Sequence, residues 1–224
     1  MKHKIIVVGV MDSIFKHSFK SIMDNEDDEI HVVLFGDDVR MGVLNPDGYI
    51  DSVRGGLGGE YYNDVIDISG INEIDDEEEA EAYHEDLIGH GVGGVEQYSL
   101  VAGVNHALDL AATLSDTDEE VEVIIYTERD CNYGMDSSIS IANSKIASLE
   151  DCDVTITYHN IQDSAEKEDR ECMMEEEFSP AEIYELNKLN NVTECLFKIT
   201  HDCVIISETV EEAINNTKET EDEY

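Results

Sequence analysis

Asp136, Ser138 and Ser140, within NYGMDSSISIANSK (132–145), place a carboxylate and two hydroxyls at alternate positions. Carboxylate and hydroxyl oxygens are hard donors of the kind that Mg²⁺ takes in near-octahedral coordination. The same letters suit a helix start, where Asp136 or Ser137 accepts otherwise unpaired first-turn N–H groups. A second aspartate, Asp12, follows the apolar run of KIIVVGVMDS. Which of them belongs to a site depends on the elements that carry them.

Other chemistry is poorly supplied. Cys131, Cys152, Cys172, Cys195 and Cys203 are odd in number and never in C-x-x-C spacing, which indicates neither a disulfide framework nor a zinc cage. The eight histidines are dispersed, with no H-E-x-x-H or similar pair to hold a metal. HGVGG (90–94) lacks the G-K-[ST] ending of a phosphate loop, and GGLGGE (55–60) is not tightly flanked by a strand and a helix. Ser18 beside His17 forms no G-x-S-x-G elbow. Acid pairs occur throughout, so none singles itself out as a general acid and base. Enzyme activity and a cofactor are not expected.

The 224 residues are 41% apolar, enough for one packed domain, yet 54 acids face 13 Lys and Arg for a net charge of −41. Charge of that size steers a protein toward basic surfaces and away from nucleic acid and anionic membranes. Acids cluster at Glu26, Asp27 and Asp28, at Asp75, Asp76, Glu77, Glu78 and Glu79, and at Asp118, Glu119 and Glu120. High-salt habitat, mimicry of a polyanion such as DNA, or a basic partner would each produce this balance. Nine Lys to four Arg, with many Ile and Asn, suggests an AT-rich genome such as that of a virus rather than a halophile. The opening apolar run is too short for a signal-peptide core or a membrane span, so a cytoplasmic location is expected.

Strand-length apolar runs alternate with helical periodicity, which predicts a three-layer α/β/α, doubly wound fold with a mainly parallel central sheet. Strands are expected at Lys4–Val10, Glu29–Gly36, Asp64–Ser69, Val121–Thr127, Asp153–His159 and Asp202–Ser207. Helical spacing joins Phe15, Phe19, Ile22 and Met23, and again Leu100, Val104, Leu108 and Ala111. Further helices are expected over 75–88, from Asp136 or Ser137 to Leu149, from the capping box Ser179-Pro180-x-Glu182, and over 208–217. Six glycines and Pro46 make 41–63 read as an irregular surface insertion. A charged loop at 160–178 and an acidic tail at 218–224 complete a single domain over 1–217.

The ordered phrases IIVVGVMDSIFKHSF, VVLFGDDVRM, GVGGVEQYSLVAGVNHALDLAATL and VIIYTERD resemble those of a von Willebrand factor A domain across nearly the whole chain. That register implies a metal-site position at Asp12 rather than Asp136. It places the family's two serines on Ile14 and Lys16, its threonine on Val95, beside Glu96, and its later aspartate on Glu128. The resemblance thus implies a degenerate site that has lost Mg²⁺, with Lys16 and Arg129 supplying a cation near the acids. Ser13 is an alternative cap for the first helix. The crevice at the carboxyl ends of the strands is the expected ligand edge of an open α/β sheet.

Two functions follow as expectations. The first is a non-catalytic adaptor binding a protein through the crevice edge and acidic surface, with an AAA+ ATPase of the MoxR type implied by resemblance. The alternative is a DNA mimic that occupies the nucleic-acid site of a DNA-handling enzyme.

Overall fold

The computed structural model describes residues 2–10, 12–22, 29–36, 39–45, 47–55, 61–71, 73, 74, 76, 78–80, 82, 83, 100–115, 120–128, 136–161 and 197–222. Its centre is β1 (Lys2–Gly9), whose residues 3 to 9 are all buried. A strand flanked by partners and covered on both faces needs apolar residues at consecutive positions, and Ile5 to Val8 provide them. On one side β1 pairs in parallel with β2 (Glu29–Phe35). On the other it pairs in parallel with β6 (Glu120–Thr127), followed by β7 (Val154–Ile161) and β8 (Val204–Ser207), also parallel.

Side chains alternate across this sheet, so each face gathers its own core. Ile5, Val7, Val33, Phe35, Val123 and Ile125 meet α2 (Leu100–Ser115) and α3 (Asp136–Leu149). Ile6, Val8, Val32, Leu34, Ile124 and Tyr126 meet α1 (Ser13–Ile22) and α4 (Val210–Asp222). The expected three-layer, doubly wound arrangement is therefore present. Asn105 fastens the first of these layers, its side-chain amide donating to Ser138 O at 3.1 Å while Lys145 Nζ donates to Asn105 O at 3.1 Å. No described helix is long and apolar enough to cross a membrane.

The region from 41 to 63 differs from the irregular insertion expected. It contributes β3 (Val39–Leu44), β4 (Tyr49–Gly55) and β5 (Tyr61–Asp67), an antiparallel meander beside β2. The full order among the described residues is β5-β4-β3-β2-β1-β6-β7-β8. Of the residues that suggested irregularity, Gly42 and Gly55 stand in strands and Gly48 in a turn, and the others lie outside the described residues. Asn45 Oδ1 accepts the N–H groups of Asp47 and Tyr49 at 3.2 and 3.0 Å, and Gly48 adopts φ +81°. The strand expected at 64–69 is the second half of β5 and the two residues after it.

Smaller differences concern caps. Asp76 starts a helical turn, its Oδ1 accepting Glu79 N–H at 3.1 Å, which suits the acid-rich start expected there. Residues 78–80, 82 and 83 are helical, and the rest of 75–88 lies outside the described residues. The acidic tail at 218–224 begins inside α4, which continues to Asp222. Thr209 Oγ1 caps that helix through Glu212 N–H at 3.1 Å, and Glu212 reaches back to Glu208 N–H at 2.8 Å. Residues 160 and 161 close β7, whereas 162–178 and the helix expected from Ser179 lie outside the described residues.

Candidate functional site

At the carboxyl edge, β1 hands the chain to α1 through a tight turn. Val10 N–H still follows the sheet, donating to Phe35 O at 3.1 Å. The chain then folds back: Asp12 N–H donates to Gly9 O at 3.1 Å, and Asp12 Oδ2 accepts Gly9 N–H at 3.2 Å. Asp12 O in turn accepts Phe15 and Lys16 N–H at 3.0 and 3.1 Å, which makes Asp12 the residue at the N-cap position of α1. Its carboxylate, on a residue only 1% exposed, thereby braces the turn behind it, while another group meets a first-turn N–H of the helix.

That group comes from the far side of β1. Glu128, the residue after β6, is 6% exposed, and its Oε1 accepts Ile14 N–H. Two buried carboxylates thus flank the α1 N-terminus, where the helix dipole favours negative charge. Among the described residues the donor set for Mg²⁺ does not fit. Ile14 and Lys16 carry no side-chain oxygen where the resemblance puts two serines, and each buried carboxylate already serves a backbone N–H. Lys16 is half-buried beside this turn. Ser13 is the first helical residue, not the N-cap, and its side chain lies outside the described set, as do Val95, Glu96 and Arg129.

The other oxygen motif lies on a helix, of which Asp136 is the first residue and Ser137 the second, so neither stands at the N-cap position that the sequence suggested. Asp136, Ser138 and Ser140 fall within the first five positions of α3. Residues two apart on a helix diverge by about 200° around its axis, so the three cannot converge on one cation. Of the acidic clusters, Asp76, Glu78, Glu79 and Glu120 are exposed, while Glu26, Asp27, Asp28, Asp75, Glu77, Asp118 and Glu119 lie outside the described residues.

Beside the carboxyl edge, Tyr126 and His159 are register partners on β6 and β7 and stack at 4.9 Å and 20°. His159 is 1% exposed, and burial pushes its imidazole down to about 4. Its Nδ1 has no hydrogen-bond partner among the described residues.

The amino edge holds a cluster that the dispersed histidines concealed. His3 on β1 lies in register with Glu29 on β2, and His31 sits two residues further along the same face. His3 Nδ1 and His31 Nε2 are 3.2 Å apart, and Glu29 Oε1 lies 3.5 Å from the first and 3.1 Å from the second. Burial holds His31 below the ordinary imidazole range, opposed by the nearby Glu29 carboxylate and reinforced by His3. The sequence signal was the pair KHKIIVV and EIHVVLF, each with a histidine ahead of an apolar run. Only the parallel register turns those two segments into neighbours.

No protein-family model and no curated protein matches the chain. Among solved structures, an aerotolerance-related membrane protein from Bacteroides fragilis carrying multiple mutations to serines is similar at 10% identity and a TM-score of 0.35, over 71% of this chain and 67% of that one. Conserved hypothetical protein BatB from Bacteroides thetaiotaomicron is similar at 9% identity and a TM-score of 0.33, over 73% of this chain and 68% of that one.

Proposed function

We propose that the chain is a non-catalytic protein-interaction module of von Willebrand A-like architecture that engages its partner through the carboxyl edge of the sheet, without metal at that edge. The observation that supports this reading is the Glu128 carboxylate on Ile14 N–H: the residue on which the resemblance puts the family's later aspartate bonds the backbone of the residue on which it puts a serine. The connection from β1 to β2 runs through α1 on one face of the sheet, and β6, on the other side of β1, is entered from α2 on the opposite face, so the strand order reverses at β1 and its carboxyl end is a topological switch point. The charge of −41 favours a partner with a basic surface, such as an AAA+ ATPase.

The same charge supports a second reading, a DNA mimic that blocks a DNA-binding enzyme. A pull-down with tagged full-length chain at low and moderate salt, with and without Mg²⁺ and competing DNA, separates them. An adaptor retains a non-DNA-binding partner at moderate salt and loses it on Asp12→Ala or Glu128→Ala substitution. A mimic is displaced from a DNA-handling enzyme by free DNA and by salt. Calorimetric Mg²⁺ binding at millimolar concentration that is lost in Asp12→Ala would overturn the metal-free edge.

A further inference from the structure

We propose that His3, His31 and Glu29 form a binding site for a zinc-class divalent cation at the amino edge of the sheet. The site lies about 20 Å along β1 from the Asp12 turn, taking about 3.3 Å of rise per residue. It is independent of the carboxyl-edge reading.

The first argument is geometric. Zn²⁺ sits about 2.0–2.1 Å from His nitrogen and carboxylate oxygen, so two ligand atoms of a tetrahedral site are about 3.3 Å apart. The three edges of the triangle formed by His3 Nδ1, His31 Nε2 and Glu29 Oε1 measure 3.2, 3.5 and 3.1 Å. An ion slightly above the plane of that triangle meets all three atoms at bonding distance, with the fourth position left to water or to a partner's ligand. The two rings are tilted by 46° at a centroid separation of 5.4 Å, an arrangement that converges nitrogens rather than stacking faces.

The second argument counts protons. Three close edges joining hydrogen-bonding atoms need a hydrogen on each, and the Glu29 oxygen brings none when ionised. If both facing nitrogens carry protons, the His3–His31 edge sets two N–H groups against each other. If only His31 Nε2 is protonated, the His3 nitrogen lone pair faces the carboxylate. If only His3 Nδ1 is protonated, the His31 lone pair does. Every such state of neutral rings leaves one repulsive edge, whereas a cation at the centre satisfies all three. The two histidine side chains are 4% and 6% exposed, but the Glu29 side chain is 37% exposed and gives an ion a path in.

The test is titration of the full-length, metal-stripped chain with Zn²⁺ in calorimetry, and with Co²⁺ followed by visible absorption. One equivalent is expected to bind tightly, with Co²⁺ bands of tetrahedral intensity and no thiolate-to-cobalt charge transfer. His31→Gln and His3→Gln should each weaken that step by about 100-fold or more, since lesser second-shell changes already cost about 10–100-fold. His106→Gln, on α2, should leave it unchanged. Equal binding in wild type and both histidine variants would overturn the site, as would thiolate charge transfer or no tight equivalent at all. Circular dichroism checks that each variant folds. Glu29→Gln, which keeps the side chain's size at a half-exposed position, gives the same readout should a buried-histidine variant fail to fold.

Discussion

The carboxylate of Glu128, at the end of β6, accepts the N–H of Ile14, in the first turn of α1 and 114 residues earlier in the chain. This bond ties the two segments that flank the crevice and leaves Asp12 to close its own turn on Gly9. The passage from β1 into α1 is therefore held by charge-to-backbone hydrogen bonds from two carboxylates.

Removing that acceptor should be costly. Glu128→Ala leaves a buried N–H without a partner, a loss of about 1–3 kcal/mol. Glu128→Gln retains an oxygen that can accept and should lose less. Urea unfolding checks both, and the deficits should be equal in Mg²⁺ and in EDTA; a deficit that appears only when Mg²⁺ is present would mean that Glu128 serves a bound cation instead.

Gly48 sets the β3–β4 turn. Its φ of +81° is strained for any residue with a Cβ, and an added Cβ would lie 2.7 Å from Ser69 Cα. Ile68 N–H also donates to Gly48 O at 2.8 Å, so the turn cannot shift without disturbing the end of β5. Gly48→Ala should destabilise by about 1–3 kcal/mol. Hydrogen exchange should show the loss concentrated in β3, β4 and β5, with β1 and β6 little affected.

The residues explain what could be read in advance. Ile5 to Val8 announce a strand covered on both faces, and the amphipathic spacing of Leu100, Val104, Leu108 and Ala111 announces α2; all four of those helix residues are buried. The position of Asp12 followed from the end of β1. The meander of β3 to β5 did not, because Gly and Pro signal a hairpin turn and an irregular loop alike. Glu128 on Ile14 and His3 beside His31 join segments far apart in the chain, and their contacts are set by strand order and register, which local pattern does not specify.

Salt should stabilise the fold. Ion pairs such as Lys145–Asp109 at 2.8 Å and Lys2–Glu122 at 3.0 Å involve few of the 54 acids, and exposed pairs contribute little. Self-repulsion of the remaining acids dominates and is screened as the Debye length falls from about 30 Å at about 0.01 M to about 3 Å at about 1 M. The melting temperature should rise across that range. A flat or falling curve would mean that attractive pairs outweigh repulsion.

His159 gives a pH signature of its own. Burial holds its imidazole at about 4 in the folded chain, against an ordinary 6.5. Between those values the unfolded chain binds a proton that the folded chain does not, so protonation favours unfolding. The contribution is fully present above 6.5 and is lost as pH falls toward 4, at about 1.4 kcal/mol per pH unit and about 3 kcal/mol in all. Protonation of surface acids acts the other way by relieving repulsion, which makes the informative quantity a difference between proteins. His159→Phe keeps a ring against Tyr126 and removes both the titration and the unpartnered Nδ1. Its stability relative to wild type should therefore grow steadily as pH is lowered from 6.5 to 4.5 in denaturant unfolding. A constant difference over that interval would show that His159 is not held neutral by burial.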